Sequence, residues 1–452
     1  MGWKSKILTL ILLSIIGINI VMTFGLTNDI IKVPSKNGYD ITPEKITWWG
    51  GDKQEGSVSS TIDNDGNLYV TCFSKSFGNI GENVMLVKFD ENQTLLWNET
   101  WKTNDFAQPC GLSIDSSGNI TIAGTIITSN PSIIHDVFVL KYNPNGERLW
   151  NYSKKTSTED TANCMTIDKD DNIYVAGLTN SSSGAGFIHK YNSEGIFQWV
   201  KYYGTTTPKE NVRIESLVID SDNSIFLSGT TDNSGGNFDD ILLAKLDSNG
   251  NHIWNVTHGG NGDIDWGTDI LLTDDAIYQS GITNSLATSP LDGIVIKYNK
   301  TGIIQWNTTI NFSNDEAVAL DLRTNGNIVV SGSKDMGANG NYFVVELSNE
   351  GFIIWNSTWE SGANEVASDI VAYNHHWMYV IGTSYNTSTS YEDITIITYF
   401  DPSDPPSTFT FPNETSGLAG KILAFTIAGI LGVFSVGTIT LIIYTYFFKK
   451  KK

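Results

Sequence analysis

Carboxylates recur at one register of this 452-residue chain. Glu55, Asp160, Asp315 and Glu365 each stand at the head of a short apolar segment, and Asp105, Glu210 and Asp265 lie near the corresponding places. Clustered carboxylate oxygens suit hard cations and basic groups. Arranged around one axis, these acids would ring a single opening able to hold a cation or a basic peptide. The competing reading is that each caps a turn against its neighbour. Asp263 and Trp266 stand beside Asp265 and add one further acid and an aromatic side chain on a loop of the same side.

Other constellations are weaker. Asp63-Asn-Asp65-Gly66-Asn67 and Asp168-Lys-Asp170-Asp171-Asn172 resemble the start of a calcium loop, so calcium is the one ion they could take. No glutamate closes such a loop, and tight turns call for the same residues because these tolerate positive φ. The six histidines are dispersed, and no nucleophile elbow, zinc-helix or phosphate-loop pattern is present. The reading is therefore non-catalytic, with no required cofactor. Cys72, Cys110 and Cys164 are an odd number. Cys110 and Cys164 fall one register apart, which predicts opposite faces and buried free thiols.

The elements that must position these groups are repeats. Trp97, Trp150, Trp199, Trp254, Trp306 and Trp355 recur at spacings of 53, 49, 55, 52 and 49 residues. Each unit runs in the same order: a strand ending in Asp, a tight turn, a strand ending near Gly, a variable loop, a third strand, a Gly turn, and Trp. Alternating apolar and polar residues between Asn, Asp and Gly turns signal strands joined by hairpins. Four short strands per unit suit a propeller blade. The second strands NLYVTC, NITIAG, NIYVAG, SIFLSG, AIYQSG, NIVVSG and WMYVIG count seven blades. The seventh lacks a fourth strand after Phe400, whereas Lys45–Gly51 is unmatched ahead of the first. That N-terminal strand is expected to complete blade seven, with Lys45 where the repeat tryptophan belongs.

Beside the third hairpin, each tryptophan reads as a wedge between sheets. Five are followed by an N-glycosylation sequon, at Asn98, Asn151, Asn255, Asn307 and Asn356, on the strand expected to form the outer rim. Seven more sequons begin at Asn92, Asn119, Asn180, Asn299, Asn311, Asn386 and Asn413.

The two ends speak to location. Ile7 to Phe24 is apolar behind Lys4 and Lys6, as in a signal peptide or signal anchor spanning 1–25. Residues 402–420 are rich in proline, serine and threonine and read as a stalk. Ile422 to Phe448 is uncharged and long enough to span a bilayer, and Lys449 to Lys452 follow it. The expectation is a single-pass cell-membrane protein with residues 26–401 outside and the C-terminal tail in the cytoplasm. Between the basic ends, 49 acids face 21 bases, a field that repels phosphate backbones and excludes nucleic acid as a partner. Protein, glycan and cation ligands on the loop face remain open.

With the repeat written D-x-x-G-N-I-Y-V-A-G, then V-x-K-Y-N-x-x-G-x-x-W-N-x-T, residues 45 to 401 resemble the SBBP-type beta-propeller repeat family. The resemblance implies a secreted or surface propeller with no catalytic residues to carry over. Sequon density and the lysine-tailed anchor suggest an archaeal surface protein. The leading reading is a membrane-anchored, extracellular binding or scaffold module. One alternative is a quinoprotein dehydrogenase, because its G-x-x-x-W hairpin is similar, although those rings have eight blades and a Cys-Cys pair with calcium. Another is a structural surface-layer component.

Overall fold

The computed structural model describes residues 41–78, 81–128, 133–154, 159–179, 185–204, 212–232, 240–259, 264–286, 291–312, 315–334, 340–374 and 376–401. The signal segment, stalk, apolar 422–448 segment and lysine tail lie outside them, as do Asp263 and Glu210. Among the described residues no helix is long and apolar enough to cross a membrane.

The described residues build seven antiparallel sheets of four strands each. Blade one runs outward from Glu55–Ile62 through Leu68–Ser74 and Asn83–Phe89 to Leu95–Trp101. The innermost strands of blades two to six are Phe106–Ile114, Asp160–Ile167, Val212–Ile219, Asp265–Leu272 and Glu316–Leu322. Blade seven takes Glu365–Tyr373, Trp377–Asn386 and Tyr391–Phe400 from the end of the described chain, and its outermost strand is Pro43–Trp49. The expected closure therefore forms. Lys45 pairs with Thr398 just as Trp150 pairs with Lys141, and each pairing has a register shift beside it.

Among the described residues, hydrophobic side chains collect in seven clusters, each shared by two adjacent blades. Tyr174 and Ile188 of blade three pack on Ile214 and Leu227 of blade four, and Val70 and Met85 of blade one pack on Ile381 and Ile394 of blade seven. The ring thus closes through packing as well as pairing. Two-sided coverage also explains a departure from simple alternation. Second and third strands are buried at nearly every position, as in Asn83–Phe89, because a neighbour blade covers each face. Alternation is plainest in outermost strands such as His252–His258 and Ile353–Trp359.

The repeat tryptophans lie at those boundaries. Trp97 meets Tyr69 of its own blade at 6.0 Å, edge to face, while its other side touches the third hairpin of blade two. A Cβ on Gly146, whose φ is +88°, would stand 3.2 Å from the indole. Gly195, Gly250, Gly302 and Gly351 lie in the same way against Trp150, Trp199, Trp254 and Trp306. The Gly-x-x-x-Trp hairpin is thereby explained: glycine supplies both the turn and the flat seat for the previous blade's ring.

Candidate functional site

Every innermost strand carries a register shift at the same level, between Ser57 and Ser59, Pro109 and Gly111, Ala162 and Cys164, Ile214 and Ser216, Gly267 and Ile270, Ala317 and Ala319, and Ala367 and Asp369. The extra residue bends the strand and drives one carbonyl toward its partner. At Gly177 a Cβ would meet the Thr161 carbonyl oxygen at 2.0 Å, so the glycine ending the second strand is required by this bulge.

The bulges line a cavity of about 790 Å³ on the ring's axis, to which all seven innermost strands contribute. Val58, Cys110, Asn163, Glu215, Thr268, Val318 and Ser368 supply its waist. Cys110 and Cys164 therefore both border this cavity and do not take the opposite faces expected from register: Cys110 is the extra residue of its bulge and packs toward blade three, whereas Cys164 follows the bulge of its own strand and packs toward blade four. Both are free thiols whose pKa burial drives upward.

The structure places the sequence-predicted acids one residue away from this opening. Glu55, Asp160, Asp265 and Glu365 open their strands with fully buried side chains, and Asp315 is nearly so. Glu55 accepts hydrogen bonds from Gly51 N and Ser74 Oγ, both at 2.9 Å. Glu365 accepts from Ser361 N at 2.6 Å, and Asp315 from Phe312 N. Asp265 accepts from Ser285 Oγ at 3.0 Å. Asp160 lies 3.6 Å from His189 Nε2. Glu55, Asp315 and Glu365 thereby fasten the crossovers into their blades, while Asp160 and Asp265 meet these partners within their own. They share a register, but they do not form a common solvent-facing ring. Asp63 is spent similarly on its turn, accepting from Asp65 N at 3.0 Å and Asn67 N at 2.8 Å. Among the described residues no group of three or more histidine, cysteine or acidic side chains could hold a metal ion.

Strand alternation turns the next residue inward. At that register Gln108, Thr161, Arg213, Trp266, Glu316 and Val366 surround the mouth, and Arg213, Trp266 and Glu316 stand on three successive blades along one wall of the cavity. Trp266 is 41% exposed, so it is not core packing. Arg213 Nε lies 2.6 Å from Glu215 Oε1. Burial holds Glu215 above the usual carboxylate range despite Arg213, with nearby Glu316 adding to the rise. Burial likewise raises Glu316. Of the predicted set among the described residues, only Trp266 lines this cavity. Period-two alternation is the signal that would have moved the remaining candidates by one position.

Lower in the channel, carboxylates stitch blade to blade. Asp269 accepts from Ser216 Oγ at 2.8 Å and Leu320 N at 2.9 Å. Asp321 accepts from Ala372 N at 2.7 Å, and Asp369 from Ser60 N at 2.6 Å. Burial raises all three, Asp321 to about 6 and Asp369 to about 7, with Asp269 adding a like charge to these two.

Seven radial four-stranded sheets around an axial cavity define a β-propeller. Residues 156–184 match the family model SBBP, a beta-propeller repeat. No curated protein matches its sequence. Among solved structures, a polysaccharide lyase of family PL25, an ulvan lyase bound to -[GlcA(1-4)Rha3S]-, is similar at 10% identity with a TM-score of 0.52, covering 77% of this chain and 95% of that one. A protein of unknown function from Dyadobacter fermentans DSM 18053 is 10% identical with a TM-score of 0.49, covering 80% and 99%. Extracellular domains 1-2 of Drosophila Semaphorin 1b are 9% identical with a TM-score of 0.46, covering 80% and 87%. At such identities the likeness is one of fold, and a propeller fold is shared by catalytic and non-catalytic proteins alike.

Proposed function

We propose that this chain is a membrane-anchored, extracellular propeller that acts as a non-catalytic binding module, taking a small organic cation at the mouth of its channel. The observation that carries the reading is the exposed indole of Trp266 in one cavity wall with Glu215 and Glu316. An aromatic face and carboxylates together attract a desolvated ammonium or guanidinium group. Arg213 already sits against Glu215 in that manner, and a ligand would compete with it. The anchor is the uncharged 422–448 segment with its lysine tail.

Titration calorimetry of the full chain in detergent, with spermidine and arginine methyl ester as probes, tests this. Binding that weakens about tenfold in Trp266→Ala and Glu316→Gln, a loss of about 1.4 kcal/mol each, supports it. Equal binding by both variants overturns the site. Dye reduction by the protein supplied with pyrroloquinoline quinone and calcium would overturn the non-catalytic reading, and ordered sheet assembly would favour a surface-layer role.

A further inference from the structure

The described sequons differ in accessibility. Asn98, Asn151, Asn255, Asn307 and Asn356 are exposed on outermost strands, each directly after a wedge tryptophan. By contrast, Asn119 donates its side-chain nitrogen to Asp115 Oδ2 at 3.0 Å, Asn311 to Asp292 at 3.2 Å, and Asn386 to Asp393 at 2.6 Å. Those three acceptors are buried carboxylates. A substituent on the donating nitrogen removes a hydrogen and crowds the bond, leaving a buried charge short of a partner. The rim asparagines carry no such commitment to the core.

The same strands expose a band of large apolar side chains. Leu96, Leu149, Ile253 and Ile354 precede their asparagines by two residues, and Ile303 and Phe352 extend the band into the third hairpins. An exposed apolar outer strand with unpaired backbone groups invites pairing with another chain. Each outermost strand is such an edge, and its apolar residues lie within one saccharide's reach of an asparagine.

We propose that the rim is N-glycosylated at Asn98, Asn151, Asn255, Asn307 and Asn356, and that these saccharides cover the apolar band of the outer strands. The proposal rests on the exterior placement in the proposed function. In the transfer, the asparagine amide nitrogen bonds to the anomeric carbon of a lipid-diphosphate-linked oligosaccharide. The carbon–oxygen bond to the diphosphate breaks, the lipid diphosphate leaves with the electron pair, and the amide gives up one proton.

The test is expression of the full chain in an N-glycosylating host. Membranes are first probed with protease for exposure of the propeller, then treated with peptide N-glycosidase in ¹⁸O water and mapped by mass spectrometry. The expected result is a mobility shift, with ¹⁸O-labelled aspartate at the five rim positions and none at 119, 311 or 386. A second readout is 8-anilinonaphthalene-1-sulfonate fluorescence, which should rise after deglycosylation under native conditions and should already be high in the fivefold Asn→Gln variant. A protease-accessible propeller with unmodified rim asparagines overturns this proposal and leaves the surface reading standing. A protease-shielded propeller overturns both. Labelled rim positions with unchanged fluorescence would sink the covering role.

Discussion

Lys45 donates a hydrogen bond from Nζ to the carbonyl of Asn92, across the boundary between blades seven and one. Five other boundaries put a tryptophan against a glycine at this level; here both partners differ. Where Lys45 replaces the indole, Gln93 replaces the turn glycine, keeps its positive φ of 58° and is almost fully buried. Thr47 of the closing strand is hydrogen-bonded to its side-chain oxygen. Two departures from the repeat, 48 residues apart, are thus one substitution of a polar clasp for an aromatic wedge.

Trp306→Ala should destabilise the propeller by about 3–5 kcal/mol, as large aromatic truncations in cores do. Gly351→Ala should cost about 1–3 kcal/mol, since it adds a methyl group at positive φ within 2.6 Å of that ring. Urea denaturation of the purified ectodomain checks both. At the closing boundary, Lys45→Trp and Gln93→Gly should each be unfavourable alone and should rescue one another, with a coupling energy of about 1 kcal/mol or more. Strict additivity would show that the two positions are unrelated.

Blade six reverses an ion pair used elsewhere. Lys141 meets Asp115 at 2.8 Å in blade two, but in blade six Arg323 stands at the aspartate position and Glu346 at the lysine position, 2.9 Å apart. The reversal lets the same Nη1 reach Asp401 at 2.8 Å, where blade seven ends its third strand. Arg323→Met should cost about 3–5 kcal/mol by leaving two buried carboxylates without their cation. Hydrogen exchange should then accelerate first in Tyr391–Phe400. Uniform acceleration around the ring would contradict a local role.

Stability should fall as pH rises from about 4 to above 7. Asp321 and Asp369 have folded pKa values raised to about 6 and about 7, so the folded state holds protons that the unfolded chain releases near 4. Their contribution is fully present below the unfolded value and is lost as pH climbs through the folded one. The lowered Asp63, Asp115 and Asp220 oppose this only below about 4. Melting temperature should therefore be several degrees higher at pH 5 than at pH 8. Asp369→Asn should flatten that difference, and an unchanged slope would remove Asp369 as its source.

Deleting residues 41–51 should open the ring. Tyr391–Phe400 would become an unpaired edge, Ile41 and Trp49 would leave the clusters at both faces of blade seven, and the protein should aggregate or unfold. A truncated chain that melts like the parent would disprove closure by the N-terminal strand.

Much of the architecture was readable in the chain because a propeller repeats its constraints. Tryptophan, turn glycine and the glycine ending the second strand each mark a backbone event that recurs in five or six of the blades, and together with the seven second strands they fix blade number, strand order and the role of Lys45–Gly51. The five rim asparagines were equally legible, following tryptophans that must face a neighbour. Which side chains face the channel was not legible to the same degree. A bulge changes the phase of a strand by one residue, and nothing in the local composition of Pro109–Gly111 or Ala162–Cys164 announces one. Period-two alternation from the strand heads would have placed Arg213, Trp266 and Glu316 at the mouth. Only the folded ring shows that Glu55 and Glu365 are buried against the backbone leading into their blades, that Cys110 and Cys164 meet one cavity, and that Arg323 reaches Asp401. Those relationships join residues on different blades, where three-dimensional packing rather than sequence spacing sets distance and burial.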